Sequence, residues 1–269
     1  MELNISEAAI EVTRKCNMQC EHCLRGPVQR KTISNHHIYR FLSLIDSIGT
    51  LNITGGEPTL AMDTLEHLRH SIIYQDCEVQ NFFMVTNGKA INCERLAEWA
   101  YHMKLACSDN EISSIGFSFD QFHTSTFNWK QLEKRDRNFY KLSDIMEMEY
   151  GITGNEAGGS FIHKHSDKSW NYGSLISEGR SKDFGSRDNR IELFEEDNWN
   201  ESVSFSEGLL YLSANGNIIA GCNWSYQSED YKKDIKIAHI DELCGTDDLI
   251  DAIRDYNKRV EKSGVLELV

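Results

Sequence analysis

The sequence is poor in proline, in positive charge and in long apolar runs. Its two prolines, Pro27 and Pro58, both lie within a few residues of motifs described below. Lysine and arginine number 28 against 42 acidic residues, and the net charge of −14 disfavours nucleic acid as a partner, because phosphate binding requires clustered basic charge. No run of 18 consecutive apolar residues occurs, which argues against a transmembrane helix and a membrane partner.

The N-terminus, MELNISEAAIEV, also lacks the basic region and apolar run of a secretory signal. We therefore predict a cytoplasmic protein. Eight cysteines in a cytoplasmic chain favour metal or redox chemistry over disulfides.

Strand and helix patterns alternate over the first 120 residues. The predicted strands are 8–13, 50–54, 82–86 and 112–120, and the predicted helices are 35–48, 63–73 and 93–106. This alternation predicts parallel strands joined by crossover helices.

The rest of the chain is more varied. We expect a helix over 129–149, a fifth strand within 158–165 and long loops over the polar stretch 166–200. Two β-prone runs flank Asn215-Gly216 in 209–220, which predicts a hairpin. A strand at 235–240 and an amphipathic helix at 246–260 follow.

Three cysteines, Cys16, Cys20 and Cys23, follow the first predicted strand with the spacing C-x3-C-x2-C. A closed zinc site or a simple iron–sulfur cluster takes four ligands. Three cysteines can hold three irons of a [4Fe–4S] cluster and leave one coordination position open for a ligand. A zinc site and a chance cluster of cysteines are the alternatives.

A second motif, Gly55-Gly56-Glu57-Pro58, ends the second predicted strand. Consecutive glycines permit close backbone approach, and the proline fixes the turn. Ligands of α/β barrels bind at this carboxyl edge, where the cysteine loop also lies. Ordinary turn chemistry is the alternative for this motif.

Four segments, EVTRKCNMQCEHC, NITGGEP, MVTNG and GFSFD, together resemble the radical S-adenosylmethionine (radical SAM) enzymes over residues 8 to 125. In that family a [4Fe–4S] cluster with one open iron binds S-adenosylmethionine. One electron then cleaves the cofactor to methionine and a 5′-deoxyadenosyl radical, which abstracts hydrogen from a substrate. The cofactor carries the difficult chemistry, and the protein positions it.

The resemblance implies a role for each matching residue. Cys16, Cys20 and Cys23 would be the cluster ligands. The residues that would contact S-adenosylmethionine are Thr54, Gly55, Gly56, Glu57 and Pro58 at the methionine amino group, Asn87 nearby, and Ser118 and Asp120 at the ribose. His22 would pack near adenine. Each assignment has a structural alternative. Glu57 would be a helix-terminal charge and Asn87-Gly88 a plain turn. Asp120 would be a helix cap and His22 a surface residue.

The C-terminal part resembles the SPASM and twitch extensions of many radical SAM enzymes, which carry auxiliary clusters. Here only Cys222 and Cys244 follow Cys107, so we predict a single cluster and a degenerate extension. Cys222 is either a hydrogen donor or a structural cysteine. We expect the remaining cysteines, Cys77, Cys93 and Cys107, to pack as small apolar residues.

Four further groups of residues carry weaker predictions. Gly179-Arg180 resembles a Gly-Arg element that follows the fifth strand in relatives. Arg180 would pair with a carboxylate of cofactor or substrate, or it lies on the surface. His163 and His165 share one face of the fifth strand and point either into the barrel or outward. We expect the aromatic residues Trp199, Trp224 and Tyr226 to lie in the core, with a platform for substrate as the alternative. The cations Arg14, Lys15, Arg25, Arg30 and Lys31 form a basic island that either docks an acidic electron donor or offsets cluster charge.

We therefore expect an α/β fold, a partial (βα)6 TIM-like barrel with a short C-terminal α+β extension, divided into 1–200 and 201–269. The predicted cofactors are the [4Fe–4S] cluster and S-adenosylmethionine, and the predicted partner is a flavodoxin or ferredoxin. A ribosomal peptide is the first expectation for the substrate; since the cysteine motif begins at residue 16, its leader would bind another surface or a partner. A sugar or small metabolite, glycyl-radical activation and non-catalytic iron–sulfur binding are the alternatives.

Overall fold

The computed structural model of the chain describes residues 1–153, 160–165, 192–231 and 233–263. The strands are β1 (Glu2–Thr13), β2 (Ser47–Gly55), β3 (Glu78–Thr86), β4 (Ser114–Ser118), β5 (Ile162–His165), β6 (Glu195–Trp199), β7 (Ser202–Ser206), β8 (Leu210–Leu212), β9 (Asn217–Ala220) and β10 (Lys236–His239). The helices are α1 (Asn35–Leu42), α2 (Met62–Gln75), α3 (Cys93–Leu105), α4 (Gln121–Thr126), α5 (Trp129–Tyr150), α6 (Tyr226–Tyr231) and α7 (Thr246–Ser263). Within these ranges no helix has the length and apolar character needed to cross a membrane.

The five strands β1 to β5 lie side by side in chain order and are all parallel. Neighbouring strands are joined through a helix, as the alternating sequence pattern predicts, and their carboxyl ends therefore meet at one edge. The prediction of an α/β fold with a parallel sheet is confirmed. Residues 166–191, which include Gly179-Arg180 and most of the predicted polar loops, lie outside the described residues.

The main core lies between this sheet and the helices that pack on one of its faces. Phe82 of β3 meets the ring of Trp99 from α3 edge-on, with 5.7 Å between the ring centroids. Trp99 is fully buried, and its indole nitrogen donates to the carbonyl of Leu65 in α2 at 2.9 Å. A buried tryptophan requires such a partner for its N–H, so this contact fixes α2, α3 and the sheet together.

The first helix is shorter than predicted. α1 ends at Leu42, and Ile48, which we placed in the helix, lies in β2. Ser34 caps the start of α1 as expected, accepting from the backbone N–H of His36 at 3.1 Å. Apolar residues at helical spacing continue past Leu42, but there they are buried in the turn and in β2. The apolar spacing therefore predicted a helix that extends beyond the observed end of α1.

The C-terminal part extends the same sheet beyond β1. β7 and β8 each pair in parallel with β1, and β8 and β9 form the predicted hairpin around Asn215-Gly216, where Gly216 has a φ of +86°. β10 then pairs with β9 and α7 follows. The domain boundary predicted at residue 200 falls between β6 and β7, which are paired with each other, and it stays a prediction.

Candidate functional site

A cavity of about 560 Å³ opens at the carboxyl edge of β1 to β4. His22 lines it, and so do all eleven predicted cluster and S-adenosylmethionine residues: Cys16, Cys20, Cys23, Thr54, Gly55, Gly56, Glu57, Pro58, Asn87, Ser118 and Asp120. They come from four separate segments, each placed where a parallel strand ends, which is the usual position of a site in this architecture. Their individual roles stay predictions.

The cysteine loop leaves β1 at Thr13 and returns to it. The N–H of Arg14 donates to the carbonyl of Lys31 at 2.8 Å, and the Thr13 hydroxyl donates to the same carbonyl at 2.9 Å. Cys20 is buried between these ends, while Cys16 and Cys23 are half-buried. The loop is therefore closed at its base and presents its thiols to the cavity.

A second set of potential metal ligands borders the same cavity. The ligand atoms of His22, Asp120 and His123 all lie within 4.8 Å of one another. His22 belongs to the cysteine loop, while Asp120 and His123 lie at the start of α4. A closed zinc site takes four ligands, so three residues of either set would leave one coordination position open.

Burial also shapes the chemistry of these thiols. It raises the pKa of the Cys16 thiol to about 11, with a smaller contribution from the nearby carboxylate of Glu57. Such a thiol is a poor nucleophile when no metal is bound, because the thiolate is the reactive form. Coordination to a metal would require this thiol to lose its proton.

The two glycines of GGEP make close approach to the chain's own backbone. A Cβ at Gly55 would lie 2.4 Å from the carbonyl oxygen of Thr13, and one at Gly56 would lie 2.5 Å from that of Lys15. The N–H of Gly56 donates to Thr13 at 2.7 Å. The glycines therefore seat the end of β2 against the start of the cysteine loop.

Glu57 turns its carboxylate into the protein. One oxygen accepts from the hydroxyls of Thr59 and Thr86, at 2.6 and 2.7 Å, and the other accepts from the N–H of Asn87 at 2.8 Å. The side chain is 2% exposed and also caps the 3₁₀ turn that begins at Pro58. Glu57 thus joins the ends of β2 and β3, consistent with its alternative as a helix-terminal charge.

Asn87 joins β3 to the cysteine loop. Its side-chain amide donates to the amide oxygen of Asn17 at 2.9 Å, and its oxygen accepts from the N–H of Lys89 at 2.9 Å. The ammonium of Lys89 donates to the carbonyl of Asn17 at 2.9 Å. Because Asn17 directly follows Cys16, these bonds hold the first cysteine in place.

The carboxylate of Asp120 binds His123, three residues further along the chain. One carboxylate oxygen accepts from the backbone N–H of His123 at 2.9 Å and so caps α4, and the other lies 2.6 Å from the ring Nδ1. Burial would raise the pKa of Asp120, but the hydrogen bonds and charge of His123 outweigh it and lower that pKa to about 2. The cap role, one of the alternatives for this residue, is present.

His123 is a cavity residue that the motifs did not single out. Burial would lower its pKa, but hydrogen bonds to Asp120 and to Cys20 raise it to about 9. The ring of His22 meets it edge-on at 4.7 Å and stacks on Phe122 at 4.7 Å. An Asp-x-x-His pair at the start of a helix is the sequence signal that marks such a residue.

The C-terminal part supplies another wall of the cavity, through Leu209, Cys222 and Asn223. The guanidinium of Arg25, from the cysteine loop, lies 4.7 Å from the ring centroid of Tyr211 and donates to the carbonyl of Trp224 at 2.8 Å. Burial raises the pKa of the Cys222 thiol. A thiol that lines the cavity in its protonated form suits both predicted roles, hydrogen donor and structural residue, and the choice between them stays open.

The basic island is smaller than predicted, because Arg14 belongs to the interior. Its side chain is 1% exposed and contacts the carboxylates of Glu11, at 2.9 Å, and Glu229 of α6. Glu229 also accepts from the side chains of Ser213 and Asn217, both at 2.7 Å. We call these five residues the Arg14 network; it ties the C-terminal part to the start of the cysteine loop. Local sequence could not show it, since Glu229 lies 215 positions from Arg14.

The structure tests the predicted locations of three other sets of residues. Cys77, Cys93 and Cys107 are buried in the main core, as predicted. Trp224 and Tyr226 are buried, but Trp199 is 79% exposed on the short β6–β7 hairpin, so the prediction that it lies in the core was wrong. His163 and His165 pack beside the ring of Phe83, at centroid distances of 6.1 and 5.7 Å, and His165 lines the cavity.

No family model matches the chain. Over 161 residues it is 26% identical to a Pyrococcus abyssi protein named probable GTP 3′,8-cyclase, covering 56% of this chain and 50% of that protein. Over 125 residues it is 28% identical to a Listeria monocytogenes GTP 3′,8-cyclase, covering 44% and 34%. The chain therefore spans half or less of the length of these curated relatives.

A solved structure described as native anSMEcpe with bound AdoMet and Cp18Cys peptide has a similar fold. The TM-score is 0.52 at 11% identity, over 96% of this chain and 82% of that one. At this identity the likeness concerns the fold, and it confirms the partial TIM-like barrel.

Proposed function

We propose that this chain, a member of the radical SAM superfamily, cleaves S-adenosylmethionine reductively and abstracts hydrogen from an organic substrate. The observation that carries the proposal is the cavity itself, where the three cysteines and the eight predicted cofactor residues meet at one sheet edge. Cys16, Cys20 and Cys23 would hold a [4Fe–4S] cluster. When bound there, such a cluster would supply one electron for reductive cleavage of the cofactor's carbon–sulfur bond.

The protein's contribution is to position S-adenosylmethionine and to shield it from solvent. Thr54 and the two glycines end β2 beside the cysteines, where backbone groups can bind the methionine amino group. Ser118 is 3% exposed at the end of β4, in the place proposed for the ribose. Asp120 would reach the ribose only by sharing its carboxylate with His123. Glu57 and Asn87 would act indirectly on the cofactor, because their hydrogen bonds fix the ends of β2 and β3 that surround it.

A ribosomal peptide is our first proposal for the substrate. It is supported by the hairpin extension, which walls one side of the cavity, and by the shared fold of a protein whose structure holds AdoMet and a peptide. A small metabolite is the rival, favoured by the two curated relatives, whose names specify GTP. Glycyl-radical activation ranks third and non-catalytic iron–sulfur binding fourth.

Anaerobic reconstitution, followed by reduction with dithionite and addition of S-adenosylmethionine, tests the proposal. We expect 5′-deoxyadenosine and methionine in equal amounts, and failure to form them at full iron loading, with candidate peptides and with GTP, would overturn it. Deuterium transfer from a labelled substrate into 5′-deoxyadenosine identifies the substrate class. The cytoplasmic location stays a prediction.

We also propose that a flavodoxin or ferredoxin delivers the electron at the exposed cations Lys15, Arg30 and Lys31. Arg14 does not contribute, since it is buried, and Arg25 is held by Tyr211. The variant K15E/R30E should lose flavodoxin-dependent turnover while keeping dithionite-dependent turnover, because only the first requires docking of an acidic protein. Equal losses with both reductants would contradict docking.

A further inference from the structure

Part of the cavity lies away from the predicted cluster and cofactor residues. Its lining there includes Glu7 of β1, Asn52 of β2 and Phe83 of β3, which we call the cavity floor. Asn52 and Phe83 are register partners on neighbouring strands. Asn52 and Thr54 lie on the same face of β2, two residues and therefore about 7 Å apart. The floor thus lies next to the predicted cofactor residues, and none of them occupies it.

The carboxylate of Glu7 is exposed in this floor and has capacity for a further partner. One of its oxygens accepts from the side-chain amide of Asn52 at 2.6 Å. Within the described part of the chain, no lysine, arginine or histidine pairs with this carboxylate. Because an ionised carboxylate accepts at both oxygens, Glu7 can receive another donor while Asn52 holds it in place.

The charge around the floor is not neutralised by the cavity wall. Among the described residues that line the cavity, Arg25 is the one lysine or arginine, and it is held against the ring of Tyr211 at 4.7 Å. A second carboxylate, that of Glu192, accepts from the N–H of Leu209 in the wall at 2.7 Å. Burial raises the pKa of Glu192, and the negative charge of Glu7 adds to that rise. The floor therefore favours a positively charged group.

An aromatic wall adjoins this carboxylate. The half-buried ring of Phe83 has His165 at 5.7 Å and His163 stacked at 6.1 Å between ring centroids. Gly116 makes room for the pair, since a Cβ there would lie 2.8 Å from the Cβ of His165. Aromatic faces take both aliphatic carbons and cations. The floor therefore combines a charge acceptor with an apolar surface beside it.

We propose that Glu7 binds a cationic group of the substrate, an amine or guanidinium carried on an aliphatic chain, as in the side chain of lysine or arginine. The inference rests on the proposed function, since it names the substrate class for the same cavity. With its charged end at Glu7, the chain would run along Phe83 towards Thr54, so its carbon–hydrogen bonds would face the predicted cofactor. A nucleoside triphosphate would instead bring several negative charges next to Glu7.

Ligand-observed nuclear magnetic resonance titration tests this without turnover, using the reconstituted protein with S-adenosylmethionine and no reductant. The probes are N-acetyl-lysine amide and N-acetyl-norleucine amide, which share an aliphatic chain and differ in the ammonium group. We expect the lysine probe to bind about tenfold more tightly. E7Q keeps the shape of the side chain, removes its charge and should abolish the preference. N52L leaves the charge but removes its hydrogen bond, and should reduce the preference by less.

E2Q is the matched control, because Glu2 is an exposed acid on the same strand but outside this cavity. It should keep the full preference for lysine. Equal affinities for the two probes in the unchanged protein, or a preference that survives in E7Q, would overturn the inference. An equal loss in E2Q would overturn it too, because net charge rather than Glu7 would then be responsible. Tighter binding of GTP than of the lysine probe would assign the cavity to an anion and also overturn it.

Two further comparisons complete the test. A short peptide with a central lysine, set against its norleucine counterpart, distinguishes a peptide from a free amine: either source supports the inference if E7Q removes the preference. If E7Q does not fold, E7D decides, since its shorter side chain should weaken the preference, and an unchanged preference would overturn the inference. Absence of 5′-deoxyadenosine in the reductive assay contradicts the proposed function, whereas its formation without a preference for lysine contradicts only the role of Glu7.

Discussion

The barrel strands and the C-terminal part reach the cavity by different routes. From β1 to β4, the motif residues lie at the carboxyl end of a parallel strand or in the loop that follows it, so the backbone itself brings them to the edge. The C-terminal part contributes a wall whose position depends on side chains, chiefly the Arg14 network and the contacts of Arg25 with Tyr211 and Trp224. Backbone placement leaves a signature in local sequence, whereas placement by distant side chains does not.

Acidic groups show the same contrast. Glu57 and Asp120 are buried and satisfied by residues close to them in the fold of the barrel strands. Glu229 of α6 is satisfied partly by Ser213 and Asn217 of the β8–β9 hairpin and partly by Arg14 at the end of β1. Glu57 and Asp120 therefore find their partners within the barrel strands and the loops that follow them, while Glu229 also depends on the contact between the two parts of the chain.

Cysteine substitutions should separate the two regions most strongly. C20A should reduce iron from about four per chain to near zero and abolish 5′-deoxyadenosine formation, because a cluster with two protein ligands is not retained. C222A and C244A should keep the iron of the unchanged protein. Iron near eight per chain in the unchanged protein would contradict the prediction of a single cluster, and iron loss in C222A would make that residue a ligand.

Breaking the Arg14 network should have the next largest effect. E229A leaves a buried guanidinium with one carboxylate instead of two, and we expect a loss of about 3–5 kcal/mol in the free energy of unfolding. R254A removes the half-buried pair with Glu196 and should cost at most about 1 kcal/mol. Urea denaturation measures both; similar costs would show that Arg14 does not depend on the C-terminal part.

Within the barrel strands, E57Q should have an intermediate effect. The amide group of glutamine would place an N–H opposite either the Asn87 N–H or the threonine hydroxyls, and one buried donor would lose its acceptor. We expect about 1–3 kcal/mol of destabilisation and weaker S-adenosylmethionine binding. E98Q, on the exposed face of α3, should stay within ~0.5 kcal/mol. Unchanged stability in E57Q would show that the network is dispensable.

Alanine substitutions at two glycines should show the smallest difference in stability between the two regions. Gly151, at the end of α5, has a φ of +68° and open space around its Cβ position, so G151A should cost about 1 kcal/mol from backbone strain alone. Gly216 has a φ of +86°, and its Cβ would lie 2.7 Å from the ring of His37 in α1. G216A should therefore cost more, about 2 kcal/mol. Thermal unfolding of both variants measures the difference; equal costs would mean that His37 moves aside freely.

Local sequence predicted the features that backbone geometry places. The strand ends and the cysteine spacing were readable because parallel strands share one carboxyl edge, and nearly every predicted element is present. Local patterns failed where a partner lies far along the chain or where apolar spacing continues past the end of a helix. Arg14 was predicted to be a surface cation because local sequence does not show its ion pair with Glu229. The predicted α1 was extended through Ile48, which lies in β2. His123 was missed although its partner Asp120 is only three residues away, because the motifs end at Asp120.

The position of β1 has a consequence for folding. One side of this strand pairs with β2, about 45 residues away, and the other pairs with β7 and β8, some 200 residues further along the chain. During synthesis, β1 therefore leaves the ribosome long before its second edge can be covered. Such distant pairing slows folding, and an uncovered edge is open to wrong partners. The cysteine loop that begins at the end of β1 completes its surroundings only when the last third of the chain has docked.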